Sequence, residues 1–246
     1  MKFFLVITFL FFTGSIIGWG IELFWRRFFS KNNPERKWIN PGFCTGPYLP
    51  LYGCGLCLMY LISLLESQHI IGNPVWNRIC MFVFMAISMT MIEYIVGIIC
   101  FKITKVRLWD YSTEWGNVQG IICPKFSLVW AILGIIYFHL IHPHILTSLT
   151  WLSQNLAFSF VIGLFFGVFI IDVVQSVQLV SKLKRFAEEN NVIVRYETLK
   201  ENIRRRHVIA KHKYRFFHPF HTEIPLTEHL LELKSSFEQG RKRLRK

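Results

Sequence analysis

Three carboxylates fall inside stretches that are otherwise apolar enough for hydrocarbon: Glu22, Glu93 and Asp172. Glu93 is the clearest, because it sits within residues 79–101, a run long enough to cross a bilayer. A charge near mid-membrane is costly unless it faces protein or water, so an intramembrane acid marks function by default. Such groups can receive a cation or a proton, or do acid–base work where burial raises one pKa. The alternative is that each acid pairs separately with a cation or a helix end for structural reasons.

Other reactive residue types are less specific. Cys54 and Cys57 have the C-x-x-C spacing of a redox or metal pair, yet two small residues that let helices pack closely explain them as well. All six cysteines (Cys44, Cys54, Cys57, Cys80, Cys100 and Cys123) lie in or beside apolar segments, which is not a secreted disulfide framework. His139, His142 and His144 cluster, as do His218 and His221, but no Cys or acid completes a zinc-binding spacing. Neither a metal nor a cofactor is expected.

The elements that must position the acids are membrane helices. The chain of 246 residues is 52% hydrophobic with 24 Phe, and its mean hydropathy is +0.37. Five spans are expected, at residues 3–25, 49–65, 79–101, 126–141 and 152–177. The second and fourth are short, which tilt or local thinning of the bilayer accommodates. The first run follows Lys2 but lacks a small-x-small cleavage site, so it reads as a retained helix. The fold class is therefore an all-α membrane protein, a bundle of about five helices over residues 1–180 with a basic helical tail over 181–246.

Loop charges orient the bundle. Arg26, Arg27, Lys31, Arg36 and Lys37 follow the first span, Lys102, Lys105, Arg107 and Lys125 the third, and the tail is strongly basic. The other connections carry Arg78 alone or no Lys or Arg. The positive-inside rule then places the N-terminus outside and the C-terminus in the cytoplasm. Glu22 lies about one turn from the cytoplasmic end, and Glu93 and Asp172 lie deeper, at roughly 8–15 Å from that end by helical rise. All three acids fall in the cytoplasmic half, where they can surround one site. The net charge of +13 reads as an anchor to anionic headgroups rather than to nucleic acid.

Two connections on that face are unusual. In residues 38–55, WINPGFCTGPYLPLYGCG, Pro41, Gly42, Gly46, Pro47, Pro50, Gly53 and Gly55 argue against an ordinary helix, yet the stretch is apolar. That composition suits either a re-entrant segment lining a cavity or an interfacial loop with aromatic anchors. Residues 105–125 bring Trp109, Tyr111 and Trp115 to headgroup level, with Asp110 and Ser112 spaced to start a turn or cap a helix. Asp110 is either a local partner of Arg107 or a fourth acid of the cluster. In the tail, Leu179, Val180, Leu183, Phe186 and Ala187 recur at helical spacing, so the last span extends as a basic amphipathic helix to Asn190-Asn191. A further helix is expected over residues 196–212, and a last one begins at Thr227.

Taken in order, these pieces resemble the ABC-transporter type IV permease family of bacterial membrane proteins. The matching residues are Gly18-Trp19-x-x-Glu22, then Asn40-x-Gly42-Phe43 and Gly46-Pro47-x-x-Pro50-x-Tyr52-Gly53-x-Gly55. Glu93-Tyr94, Trp109-Asp110-Tyr111-Ser112, Gly120-x-Ile122-Cys123 and Ser127 follow. Pro41 stands where the family often has Arg before Gly-Phe, and Gly120 or Ile121 where it often has another Arg. The resemblance implies a transport component of the bacterial cell membrane; five spans are few for a pathway, so a homo-oligomer is expected. No phosphate-binding G-x-x-x-x-G-K-[ST] loop occurs, so ATP would enter through a separate ATPase subunit. The substrate-binding candidates are Glu22, Glu93, Asp110, Asp172, Tyr48, Tyr52, Trp109, Tyr111 and Ser112. Two other readings remain open: a non-catalytic envelope scaffold, and an intramembrane enzyme using Glu22, Glu93 and Asp110 on a lipid-linked substrate. No G-x-S-x-G, H-E-x-x-H or Ser-Lys pattern names a chemistry for the enzyme.

Overall fold

A computed structural model describes residues 3–30, 33, 35–68, 73–104, 106–190, 194–195, 198–200, 202–203 and 226–243. The chain is a helical bundle. Helix α1 (Phe3–Phe28) pairs closely with α2 (Pro50–Ser63), which ends in a 3-10 turn at Leu64–Gln68. Helix α3 (Pro74–Thr104) returns beside α2 and packs on α4 (Pro124–Ile136). A π turn, Tyr137–Ile141, leads into α5 (His142–Gln154), and α6 (Ser159–Asn190) closes the bundle. A last helix, α7, covers Leu226–Arg243.

Among the described residues, four helical stretches are long and apolar enough to cross a membrane: Phe3–Phe28, Pro74–Lys102, Pro124–Gln154 and Leu156–Arg185. The second expected span is a shorter apolar helix, Pro50–Glu66. At 1.5 Å per residue it reaches about 25 Å, a little under the hydrocarbon thickness of about 30 Å.

Local chemistry sets these boundaries. Pro50 and Pro124 stand at the first turn of α2 and α4, where the missing N–H costs nothing and the fixed φ suits the helix. Gly53 and Gly55, read from sequence as helix breakers, lie inside α2. Gly53 is there because α1 passes so close that an added Cβ would strike the Ser15 hydroxyl and the Phe11 carbonyl. Gly18 of α1 likewise lies against the Tyr52 ring. Small residues at a crossing let two membrane helices approach and gain dispersion contact.

The fourth span runs on to Gln154, well past the expected residue 141. The helix changes pitch there rather than stopping. The His142 N–H bonds the Tyr137 carbonyl five residues back, and Pro143 has no N–H to restore the α pattern. Asn155, with φ −120° and ψ 57°, ends α5, so Leu152 belongs to α5 and not to the last span.

Two cores result. The larger lies within the bundle and includes Leu10, Met85, Met89, Tyr137 and Leu152. The smaller lies beyond the bundle, where Val180 and Leu183 of α6 meet Leu199, Ile203 and Leu230 of the tail, with Phe43 and Leu108 from the two loops. A two-residue parallel pairing, Val106–Arg107 with Val194–Arg195, ties the second loop to the tail. Helix α6 runs unbroken across residue 180 to Asn190. Of the expected helix over 196–212, residues 198–200 and 202–203 are helical, and the rest lies outside the described residues. Helix α7 begins at Leu226, one residue before the expected cap Thr227.

Candidate functional site

The acids divide between two places. Glu93 is almost fully buried, at 3% exposure. Its Oε1 accepts from the Tyr111 hydroxyl at 3.1 Å and its Oε2 from the Trp130 indole N–H at 2.9 Å. Glu22 is about a turn and a half from the end of α1. Its Oε1 accepts from Arg26 at 3.0 Å and its Oε2 from the Tyr52 hydroxyl at 3.1 Å. The Tyr52 ring packs against the Trp130 ring, with centroids 5.5 Å apart. Arg26, Glu22, Tyr52, Trp130, Glu93 and Tyr111 therefore form one contiguous polar track through four elements: α1, α2, α4 and α3, closed by the second loop.

The loop reaches in for a physical reason. Tyr111 stacks on Phe126 at 4.4 Å and nearly parallel, which holds its hydroxyl over Glu93. Burial first, then the charges of Glu93 and Glu22, push the Tyr111 phenol well above its ordinary pKa. It thus stays a donor at any physiological pH. The loop is itself a built turn. Asp110 accepts from the Ser112 N–H at 3.0 Å and from Arg107 at 3.3 Å, and Asn117 accepts from the Gly120 N–H. Gly116 (φ +64°) and Gly120 (φ +68°) take the left-handed conformation that side chains resist. Trp109 is pinned by its indole N–H on the Ile121 carbonyl, at 2.9 Å. Asp110, Trp109 and Ser112 thus shape the loop, and Tyr111 is the residue of the four that reaches an intramembrane acid.

Asp172 occupies the second place. It accepts from the backbone N–H of Thr45 at 3.0 Å and of Gly46 at 2.7 Å, from the Ser176 hydroxyl at 3.2 Å, and from Tyr48. Three of these four donors come from the irregular loop 38–49 and clamp it onto α6. Burial, then the hydrogen bond to Asp172, push the Tyr48 phenol up, so it too remains a donor. Asn40 organises the same loop: its amide donates to the carbonyls of Cys44 and Thr45, and its oxygen accepts from Trp19 at 2.9 Å and from the Gly42 N–H. The Lys200 ammonium arrives from the tail and donates to the carbonyls of Asn40 (3.1 Å) and Gly42 (2.6 Å). The loop is covered by protein on several sides, the condition under which irregular backbone is tolerated at a membrane.

So the structure joins Glu22, Glu93, Tyr52 and Tyr111 in one network, joins Asp172 and Tyr48 in another, and leaves Asp110, Trp109 and Ser112 in local loop contacts. A groove of about 500 Å³ elsewhere, between the end of α2 and the start of α3, includes neither network. Four partners escaped the sequence reading. Arg26 was legible as the i,i+4 partner of Glu22. Trp130 sits in an apolar run where nothing marks an indole as a donor, Asn40 was marked only as part of the Asn40-x-Gly42-Phe43 match with no role attached, and Lys200 had no sequence signal beyond its place in a basic tail.

No curated protein and no solved structure matches the chain. A family model does match, over residues 9–177, which is more than half of the chain and takes in α1 to most of α6 with both loops. On that match the chain belongs to the family described as "Putative ABC-transporter type IV".

Proposed function

We propose that the protein is the membrane-embedded component of a transporter and that the Glu22–Glu93 track is its acidic site. The observation that carries this reading is the bonding of Glu93: a carboxylate from mid-helix α3, linked through Trp130 and Tyr52 to a second carboxylate on α1. The hydrogen bonds to Glu93 come from neutral donors, and the cation of the track, Arg26, sits on Glu22 at its far end. A carboxylate held this way keeps its negative potential for an arriving cation or proton, whereas a directly paired one would not. Asp172 serves the loop rather than the cargo.

The chain lies in the bacterial cell membrane with its N-terminus outside and its C-terminus in the cytoplasm. The basic loops, the tail and both acid networks share the cytoplasmic end, and the tail's Lys and Arg meet anionic headgroups there. ATP enters through a separate ATPase subunit docked on loops 38–49 and 105–123. Five helices are few to enclose a pathway, so the working form is a homo-oligomer.

Reconstitution with whatever ATPase co-purifies, followed by flux measurement, tests this. Glu93→Gln should cut ATP-dependent flux by about tenfold or more while the complex still assembles. Unchanged flux in that variant removes the acidic site from the mechanism. Absence of both an associated ATPase and any flux leaves the scaffold reading, which the saturation of Asp172 by loop donors favours.

A further inference from the structure

At the end of the bundle away from the basic loops, a groove of about 500 Å³ opens between the end of α2 and the start of α3. Ile62 and Leu65 form one wall. Cys80, Val83, Phe84 and Ile87 form the other. Those four recur at i, i+3, i+4 and i+7, so they make a continuous stripe down one face of α3. From Asn77 at the mouth to Ile87 at the foot the stripe descends about 15 Å by helical rise. Val83, Phe84 and Ile87 are all about half exposed. On a helix long and apolar enough to cross a membrane, such a face meets hydrocarbon.

The mouth is polar and lined by an acid, and a cation just outside the lining pairs with that acid. Glu66 and Asn77 line it, and Glu66 Oε1 accepts from Arg78 Nε at 3.1 Å. Neither charge is deeply buried: the side chains are 55% and 31% exposed for Arg78 and Glu66. A guanidinium has five N–H donors, and the bond to Glu66 uses the one on Nε. An Arg and a Glu side by side above an apolar slot complement a headgroup that has a phosphate and an ammonium side by side above an acyl chain.

We propose that this groove is a binding site for a phospholipid with a zwitterionic phosphate–ammonium headgroup. One acyl chain lies along the Cys80–Ile87 stripe, the phosphate meets Arg78, and the ammonium meets Glu66. The commitment to a lipid follows from the geometry. The slot is a single helical stripe about 15 Å long, the reach of a chain of about a dozen carbons, and its charged end falls where a headgroup would be. A purely anionic lipid satisfies Arg78 but brings its charge beside Glu66, so the site discriminates by what sits next to the phosphate.

The test is lipid retention by the full chain. Protein in mild detergent is given equal amounts of phosphatidylethanolamine and phosphatidylglycerol with the same acyl chains, and bound lipid is counted by native mass spectrometry. The wild type should keep one phosphatidylethanolamine with about a threefold to fivefold preference, the range that half-exposed charge pairs provide. Arg78→Gln should cut retention of both lipids several-fold. Glu66→Gln should erase the preference by admitting phosphatidylglycerol. Val83→Trp, which fills the slot at a lipid-facing position, should lower retention whatever the headgroup. Equal retention of both lipids by the wild type, or a preference that Glu66→Gln leaves intact, overturns the proposal. So does a disulfide between the Cys80 residues of two copies at high yield, because the groove would then be covered by a second chain.

Discussion

Glu93 is held by an indole and a phenol, and the two donors make different predictions. Trp130→Phe keeps most of the packing but removes the 2.9 Å bond to Oε2, leaving a buried carboxylate oxygen without that donor. The expected loss is about 1–3 kcal/mol, read as a lower unfolding midpoint in detergent, with a smaller loss for Tyr111→Phe because the loop can readjust. Cys44 offers a pH-dependent check on the other network. Burial, and next the charge of Asp172, push its thiol up to about 12. A raised thiol pKa means the neutral form persists through neutral pH, so alkylation should be slow at pH 7 and rise about tenfold per pH unit below 12. A rate that is flat between pH 7 and 9 contradicts this. Asp172→Asn should speed the reaction at fixed pH, since it both removes a repelling charge and loosens the clamp on Thr45 and Gly46. At this scale the sequence exposed the acids well, because a carboxylate in an apolar run stands out. It exposed their donors poorly, because Trp130 looks like any lipid-facing aromatic and lies 37 residues from Glu93.

At the scale of elements, the α1–α2 crossing is the tightest joint. Gly53→Ala places a methyl group against the Phe11 carbonyl at 2.7 Å, and a backbone atom in a helix has little room to give. Overpacking there should cost about 1–3 kcal/mol and separate the two helices. Gly20, by contrast, has open space at its Cβ, so Gly20→Ala should be neutral or slightly stabilising in the same thermal assay. The helices themselves were legible from hydropathy, which is insensitive to where a helix bends. The π turn at Tyr137–Ile141 was invisible for that reason: the run stays apolar through it, and the cause lies in backbone bonding around Pro143. The first loop was half legible. Its Pro and Gly excluded a helix before Pro50, but composition cannot say that Asp172, 127 residues after Thr45, would hold it.

For the whole molecule, one end carries the Glu66–Arg78 pair, and at the other the two loops, the end of α6 and the described part of the tail pack together, the end we place in the cytoplasm. Lys200→Met keeps the length of the stem but leaves the Asn40 and Gly42 carbonyls without their charged donor. The expected result is faster protease cleavage within residues 38–49, with the transmembrane fragments unchanged. Orientation is testable by impermeant labelling of single cysteines: a position in residues 38–49 and one near residue 240 should react from the same side of sealed vesicles, and a position near residue 73 from the other. Reaction of the first two from opposite sides would refute the topology. Charge asymmetry is what predicts this sidedness from the sequence. The docking of the tail onto the loops was not, since a basic segment reads as solvated until a partner for one of its lysines is seen.

The Lys200 bonds also set an order of events during synthesis. The carbonyls that this ammonium caps emerge from the ribosome 158 to 160 residues before it does. At about 5–20 residues per second, the wait is roughly 10–30 s. For that interval the first helices are already in the bilayer while their connecting loop lacks its last fastener. A chain released early, short of residue 200, would carry an open seam on the same face where a companion protein is expected to sit. Residue 200 therefore acts as a late latch: only a chain that has reached it can seal the carbonyls of Asn40 and Gly42.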